Sequence, residues 1–261
     1  MARLTKDPAL PRVSGLAWEG VSYFCSVRQG GVSTGACSTL NLALHTQDDP
    51  ALVNENRRRL TQELPGQPHW LNQIHGTQVF DADHSHGAAA FATPTADAAI
   101  TSQPNQVLAI MTADCLPVVI ADSRGRALGV AHAGWRGLLN GVLEATLRDL
   151  RAKLPEAQHW RAWIGPAISQ RHFEVGDDVF SAFVGQDAQA DIFFAEKISG
   201  RKWLADLPGL ARYRLYKAGV AQVELSGYCT FGQPELFYSY RREPAAGRIA
   251  TIAWLTDPQD L

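Results

Sequence analysis

The chain has little that would tie it to a membrane, to nucleic acid or to an oxidising compartment. No apolar run reaches the length that spans a bilayer. The opening residues, MARLTKDPAL, carry no apolar signal core. Only four cysteines occur, Cys25, Cys37, Cys115 and Cys229, and none forms a Cys-X-X-Cys pair, so no disulfide framework is expected. At a net charge of −2 no basic surface announces nucleic acid. Internal repeats, low-complexity tracts and linkers are missing too. What remains is 261 residues, 46% of them apolar, enough for a sizeable core. These features lead us to expect a single cytoplasmic domain over residues 1–261, a monomer or weak homodimer with neither membrane nor nucleic-acid partner.

Periodicity outlines the elements. Residues 21–27 read as a strand that enters a glycine-rich loop, Arg28 to Gly35. Residues 50–64 read as a helix, with Pro50 in its first turn. Three apolar runs, 107–111, 117–121 and 127–131, read as strands, the last two joined by a turn at Asp122 to Gly125. After Gly134 the period changes: Leu139, Val142, Leu143, Leu147 and Leu150 predict a helix that Pro155 stops. A strand follows at 160–164, helices at 175–185 and 205–218, and strands at 220–225 and 249–255. The mixture predicts one α/β domain around a mixed sheet.

Three residues in unusual peptides stand out. His75 lies in Asn72-Gln73-Ile74-His75-Gly76, Cys115 in Thr112-Ala113-Asp114-Cys115-Leu116-Pro117, and His132 in Ala131-His132-Ala133-Gly134-Trp135-Arg136-Gly137. Two imidazoles and one thiolate are a zinc set, and three protein ligands leave one tetrahedral position open, the mark of a catalytic site. Wide separation in sequence means that the fold must assemble them. Cys115 and His132 each fall just past a predicted strand, and Gly76 and Gly134 leave room for close backbone approach. A second use needs no metal: Cys115, beside Asp114 and near His132, could be a nucleophile. Both uses require a thiolate.

Other candidates are weaker. The Arg28–Gly35 loop fits an anion held by backbone N–H groups and a guanidinium, or a plain turn. Asn41 and His45 would share a face on a helical turn, or form the polar edge of a loop. Arg136 opposes a helix dipole at the start of its helix, so it calls for a carboxylate or phosphate partner or a buried salt bridge. His84 and His86 read as a solvated loop. Cys229 is the reserve for a fourth, structural zinc ligand.

These peptides carry a resemblance. With Arg28 to Ser33, Leu40-Asn41-Leu42, Asp48-Asp49-Pro50, Gly165 to Ile168, Phe173 to Gly176, Cys229-Thr230, Phe237 to Arg242 and Gly247-Arg248, the chain resembles the laccase-domain family over nearly its whole length. That family was long called multicopper polyphenol oxidases and is now regarded as zinc-dependent purine nucleoside enzymes. The resemblance implies a single α/β domain similar to the catalytic domain of cytotoxic necrotizing factor toxins. It implies zinc on His75, Cys115 and His132, with copper as the alternative metal. It also implies phosphorolysis of adenosine, inosine, guanosine and methylthioadenosine, together with adenosine deamination.

On that footing Arg28 is the expected phosphate ligand, with Arg136 or Arg241 behind it. Asn41 and His45 are the expected ribose or purine contacts. The His-X-Glu at His172-Phe173-Glu174 holds none of the three ligands, so Asp114, His45 or water would move protons unless the fold brings Glu174 in. Leu42-Ala43-Leu44-His45 departs from the common Leu-Gly-X-His, and Gln47 replaces a common Gly, which touches substrate preference rather than metal binding. Rival readings are a copper polyphenol oxidase and a cysteine hydrolase that edits cell-wall precursors. The first meets an objection in the eight histidines of the chain, few for the several coppers of coupled oxygen reduction.

Overall fold

The computed structural model describes residues 3–5, 10–84, 93–196 and 201–257. One six-stranded sheet runs in the order β1 (Arg3–Thr5), β2 (Arg12–Ser14), β3 (Val21–Ser26), β15 (Ile249–Leu255), β7 (Val107–Thr112), β4 (Pro68–His69). A second runs β14 (Gln222–Leu225), β10 (Trp160–Ile164), β8 (Leu116–Asp122), β9 (Leu128–Ala133), β6 (Ala98–Thr101), β5 (Val79–Asp81). Each is mostly antiparallel, with parallel pairs at its margins: β4 on β7, β14 on β10 and β5 on β6. β11 (Glu174–Gly176), β12 (Phe194–Glu196) and β13 (Lys202–Ala205) make a small third sheet. The single mixed sheet expected from the sequence is therefore several sheets within one α/β domain.

The central strands are apolar on both faces, as strands covered on both sides must be. In β15, Ile249, Ala253 and Leu255 enter the core between the two large sheets, while Ala250 and Ile252 face outward. In β8, Val119 and Ala121 face that inner core, while Leu116, Val118 and Ile120 face the other way. Helices cover the outer faces. α1 (Pro50–Thr61) places Leu60 against Val107, Ala109 and Ile252 of the first sheet. α3 (Val142–Lys153) and α5 (Leu207–Lys217) bury Leu143, Leu147, Leu150, Leu210 and Leu215 on the second. The layers are thus helix, sheet, sheet, helix.

Several expectations shift at their edges for physical reasons. The helix after Gly134 is two helices, α2 (Trp135–Asn140) and α3, because Gly141 at φ 93° breaks the run in the left-handed region. The helix expected at 175–185 begins after β11, as α4 (Asp177–Gln186). Asp49 caps α1 by accepting the Ala51 N–H at 2.8 Å, and the helix ends at Thr61. Short strands such as β5 and β6 gave no usable period. Among the described residues no helix is long and apolar enough to cross a membrane. His84 is exposed, with Nδ1 2.9 Å from Asp81 Oδ2, and His86 lies outside the described residues.

Candidate metal centre and its cavity

The site forms where the chain passes from one large sheet to the other. β7 of the first sheet and β8 of the second are joined by Ala113-Asp114-Cys115 alone. Asp114 makes the turn at φ 93°, a strained value for a residue with a side chain, costing on the order of 1–3 kcal/mol. Its carboxylate recovers this by accepting hydrogen bonds from Thr230 Oγ1 at 2.7 Å, Ser239 Oγ at 2.9 Å and the Arg241 N–H at 2.7 Å. Those bonds draw the long C-terminal loop over the crossover and aim Cys115 outward. His132 lies inside β9 rather than past its end, paired across the ladder with Pro117. His75 lies on the loop between β4 and β5, itself at φ 62°.

The structure brings the three together: one ligand atom from each of His75, Cys115 and His132 lies within 4.8 Å of the others. Cys115 Sγ is 3.8 Å from His75 Nε2. Ligands about 2.0–2.3 Å from a tetrahedral zinc stand roughly 3.5 Å from one another, so a small inward movement closes the set. Room for this depends on Gly134: a Cβ there would stand 2.8 Å from His75 Cδ2 and 2.9 Å from Cys115 Sγ. Donor types and convergence fit a metal ion.

Asp97, just ahead of β6, is the residue that sequence reasoning missed. It is fully buried. Its carboxylate accepts the N–H groups of Ile74 at 3.1 Å, His75 at 2.9 Å and Gly76 at 2.6 Å, and pairs with His132 Nδ1 at 2.8 Å. One carboxylate thus shapes the strained His75 turn and fixes the His132 tautomer with Nε2 toward the other ligands. Burial pushes Asp97 up, but the His132 imidazole and these N–H donors outweigh it and hold the carboxyl below its usual range. The available signal was a lone acid in an otherwise apolar stretch, Ala96-Asp97-Ala98-Ala99-Ile100; a buried charge must be paired. Burial also works against the Cys115 thiolate, yet the His132 imidazolium and bonds from both imidazoles bring the thiol down to about 6. The same coupling raises His132.

A cavity of about 520 Å³ opens over the three residues, a size that suits a small organic ligand. His45, Gln73, Tyr240, Arg136, Arg241 and Arg248 are among its other walls. Of the expected substrate residues, His45 is there. Arg28 and Asn41 are not among the lining residues, and both have structural work. The Arg28 guanidinium donates to the carbonyls of Ser38 and Pro234 and lies over the Tyr238 ring. The glycine-rich loop spends its N–H groups internally: Gly31 donates to Thr39 Oγ1, Val32 to Asn56 Oδ1 and Ser33 to the Thr39 carbonyl. Its Gly31 is needed because a Cβ would stand 2.2 Å from that carbonyl oxygen. Asn41 is fully buried; Oδ1 accepts from the Ala43 and Arg248 N–H groups, and Nδ2 donates to Thr46 and Asp48. It holds the His45 loop against Arg248 rather than facing a ligand.

The remaining candidates separate in the same way. Arg136 lines the cavity and stacks on Trp135 at 4.3 Å, with no salt bridge among the described residues. Cys229 joins His172, not the three-residue group. Glu174 does not line the cavity; its carbonyl accepts from Arg241, and its carboxylate faces Lys202 at 3.9 Å. Arg248 was quoted in the resemblance but given no role, because nothing local in Gly247-Arg248-Ile249 shows that it faces the cavity.

Known proteins are similar to the chain over nearly its full length. A purine nucleoside phosphorylase of Pseudomonas aeruginosa is 45% identical over 232 residues, covering 89% of this chain and 92% of that protein. The purine nucleoside phosphorylase YfiH of Escherichia coli is 44% identical over 239 residues, covering 91% and 95%. A crystal structure of a Neisseria meningitidis protein superposes with a TM-score of 0.85 at 41% identity, covering 98% and 99%. That of YlmD from Geobacillus stearothermophilus reaches 0.87 at 27% identity, covering 97% and 98%. Residues 22–256 match the family described as multi-copper polyphenol oxidoreductase laccase, and the chain belongs to that family.

Proposed function

We propose that the chain is a zinc-dependent purine nucleoside phosphorylase that also deaminates adenosine. One observation carries the reading: two imidazoles and a thiolate converge in a cavity whose other walls carry three arginines. The relatives named purine nucleoside phosphorylases support it. A mixed nitrogen and thiolate set suits zinc, though copper also binds such donors. Zinc held by His75, Cys115 and His132 would supply Lewis acidity at an open position.

In phosphorolysis the bond between ribose C1′ and the purine breaks, a bond from C1′ to a phosphate oxygen forms, and a proton goes to the departing base. Arginines of the cavity bind the phosphate dianion and, through it, offset positive charge growing on the ribose. Asp97 keeps His132 in one tautomer. Water is the candidate to hand a proton to the base or, in deamination, to the leaving amine, since burial and neighbouring arginines keep the His45 imidazole neutral. Asp114 is a poorer candidate, since its carboxylate is taken by three donors. Adenosine, inosine, guanosine and methylthioadenosine are the proposed substrates.

A second reading has an observation of its own. Cys115, His132 and Asp97 also form the series that a thiol nucleophile requires. That reading has no use for His75 and would survive removal of metal. Pure, metal-assayed protein is to be incubated with adenosine, with and without phosphate, and the products separated. Adenine and ribose 1-phosphate that need phosphate, and that vanish with the metal in Cys115→Ala, support the phosphorylase. Inosine formed without phosphate supports the deaminase. Zinc-loaded protein that turns over no nucleoside overturns both.

A further inference from the structure

Arginine charge is unevenly answered in this molecule. Arg12, Arg126 and Arg214 each meet a carboxylate. Arg248, which lines the cavity of the metal ligands, and Arg57, both half-buried or more, form no salt bridge among the described residues. Burial pushes both guanidinium groups down, Arg57 to about 10, and at Arg248 the neighbouring Cys115 and Asp114 offset only part of it. Stripping water from a cation without supplying a counter-charge is costly, so such a group persists where something else compensates it.

For Arg57 the compensation is internal. Its Nε donates to the Leu42 carbonyl, its Nη2 reaches Met111 Sδ, and the guanidinium stacks on Trp70 at 4.1 Å. Arg248 differs. Its guanidinium lies more loosely over the Tyr240 ring, at 5.6 Å, and of its donors only Nη1 is spent, on the carbonyls of Ala246 and Gly247. Nε and Nη2 have no acceptor among the described residues, and the side chain lines the cavity.

Placement adds to this. Ile249, the next residue, pairs with Thr112 at the end of β7, which sets Arg248 beside the crossover that carries Cys115. Its backbone N–H is held by Asn41 Oδ1 at 2.9 Å, and the same oxygen accepts the N–H of Ala43, two residues before His45. A Cβ at position 247 would stand 2.8 Å from Asn41 Cβ, so Gly247 is what lets the two segments meet. Burial first, then Arg248 and Arg57, lower the His45 pKa, which leaves a neutral imidazole able to donate one hydrogen bond beside a cation.

We propose that Arg248 and His45 form the oxyanion seat of the cavity, where inorganic phosphate binds beside the metal ligands, with Arg248 supplying charge and a two-donor fork and His45 one further donor. This rests on the phosphorylase reading and assigns its second substrate to named residues. Arg28, held by two carbonyls outside the cavity, takes no part.

The test uses zinc-loaded full-length chain and inorganic phosphate. Arg248→Met is expected to raise the KM for phosphate about 10- to 100-fold, while the KM for adenosine and the bound zinc stay near wild type. His45→Ala should raise it less, and Arg248→Lys should recover part of the loss. A phosphate KM unchanged in Arg248→Met, with the protein folded and zinc-loaded, overturns the seat. Phosphate binding is measured separately by broadening of the 31P resonance, without nucleoside. Wild-type binding that is lost in Arg248→Met supports the seat even if no nucleoside is cleaved, an outcome that would remove only the phosphorylase reading. No phosphate binding by the wild type overturns the seat.

Discussion

Among the described residues two cysteines, Cys115 and Cys229, meet a histidine, and they differ in what stands behind them. Cys229 Sγ is 3.4 Å from His172 Nδ1, closer than the 3.8 Å between Cys115 Sγ and His75 Nε2. Yet among the described residues only Cys115 belongs to a three-residue metal group. At Cys229 the sulfur also accepts backbone N–H groups of Ser169 and Gly232, and His172 lies flat against Phe231. At Cys115 a second imidazole faces the sulfur, and a buried carboxylate orients His132 from behind. Proximity of a thiol and an imidazole is therefore not what makes the site. The third ligand and Asp97 are.

Breaking the pairs gives the largest contrast. Cys115→Ala should abolish stoichiometric metal binding and nucleoside turnover, whereas Cys229→Ala should keep both, read by metal analysis and product chromatography. Next come the adjoining glycines. A Cβ at 134 meets two ligands at 2.8 and 2.9 Å, but at 232 it meets His172 Cε1 at 3.3 Å and Cys229 Sγ at 3.6 Å. Gly134→Ala should therefore lose most metal affinity, by about 100-fold or more, while Gly232→Ala binds normally; equal affinities would contradict the close approach.

Removing the rear support should act more gently. Asp97→Asn is expected to weaken metal about 10- to 100-fold by chelator competition, and to cost about 2–4 kcal/mol in denaturant unfolding. His172→Ala should cost about 1 kcal/mol and no metal affinity.

The smallest effect sharpens the electrostatics. In metal-free protein the Cys115 thiol sits at about 6, so its alkylation by iodoacetamide should stay nearly level from pH 8 to 7 and fall as pH drops through about 6. Added zinc should suppress it. A rate that keeps rising tenfold per unit toward pH 8 would show that His132 does not hold the thiolate.

Much of this was legible beforehand, for identifiable reasons. The long strands and helices carry their period openly: β15 was read at its observed bounds, and β7 and β8 within a residue at either end. His75, Cys115 and His132 could be singled out because their peptides are unusual and their donor types make a set. Arg28 and Asn41 were drawn toward substrate by residue type and placement, and side chains of those types serve equally well to bond backbone. Asp97 and Arg248 went the other way, since their roles come from neighbours distant in sequence.

By itself, then, the sequence determined the class of fold, through apolar period, and the metal-type donor set, through side-chain chemistry. Which residues flank those donors was left to the tertiary structure. Two sheets meeting at the Ala113-Asp114-Cys115 crossover bring Asp97 under two ligands and Arg248 beside a third. The physical reason is that burial, carboxylate pairing and an unanswered charge are properties of spatial neighbours, which local period and composition do not encode.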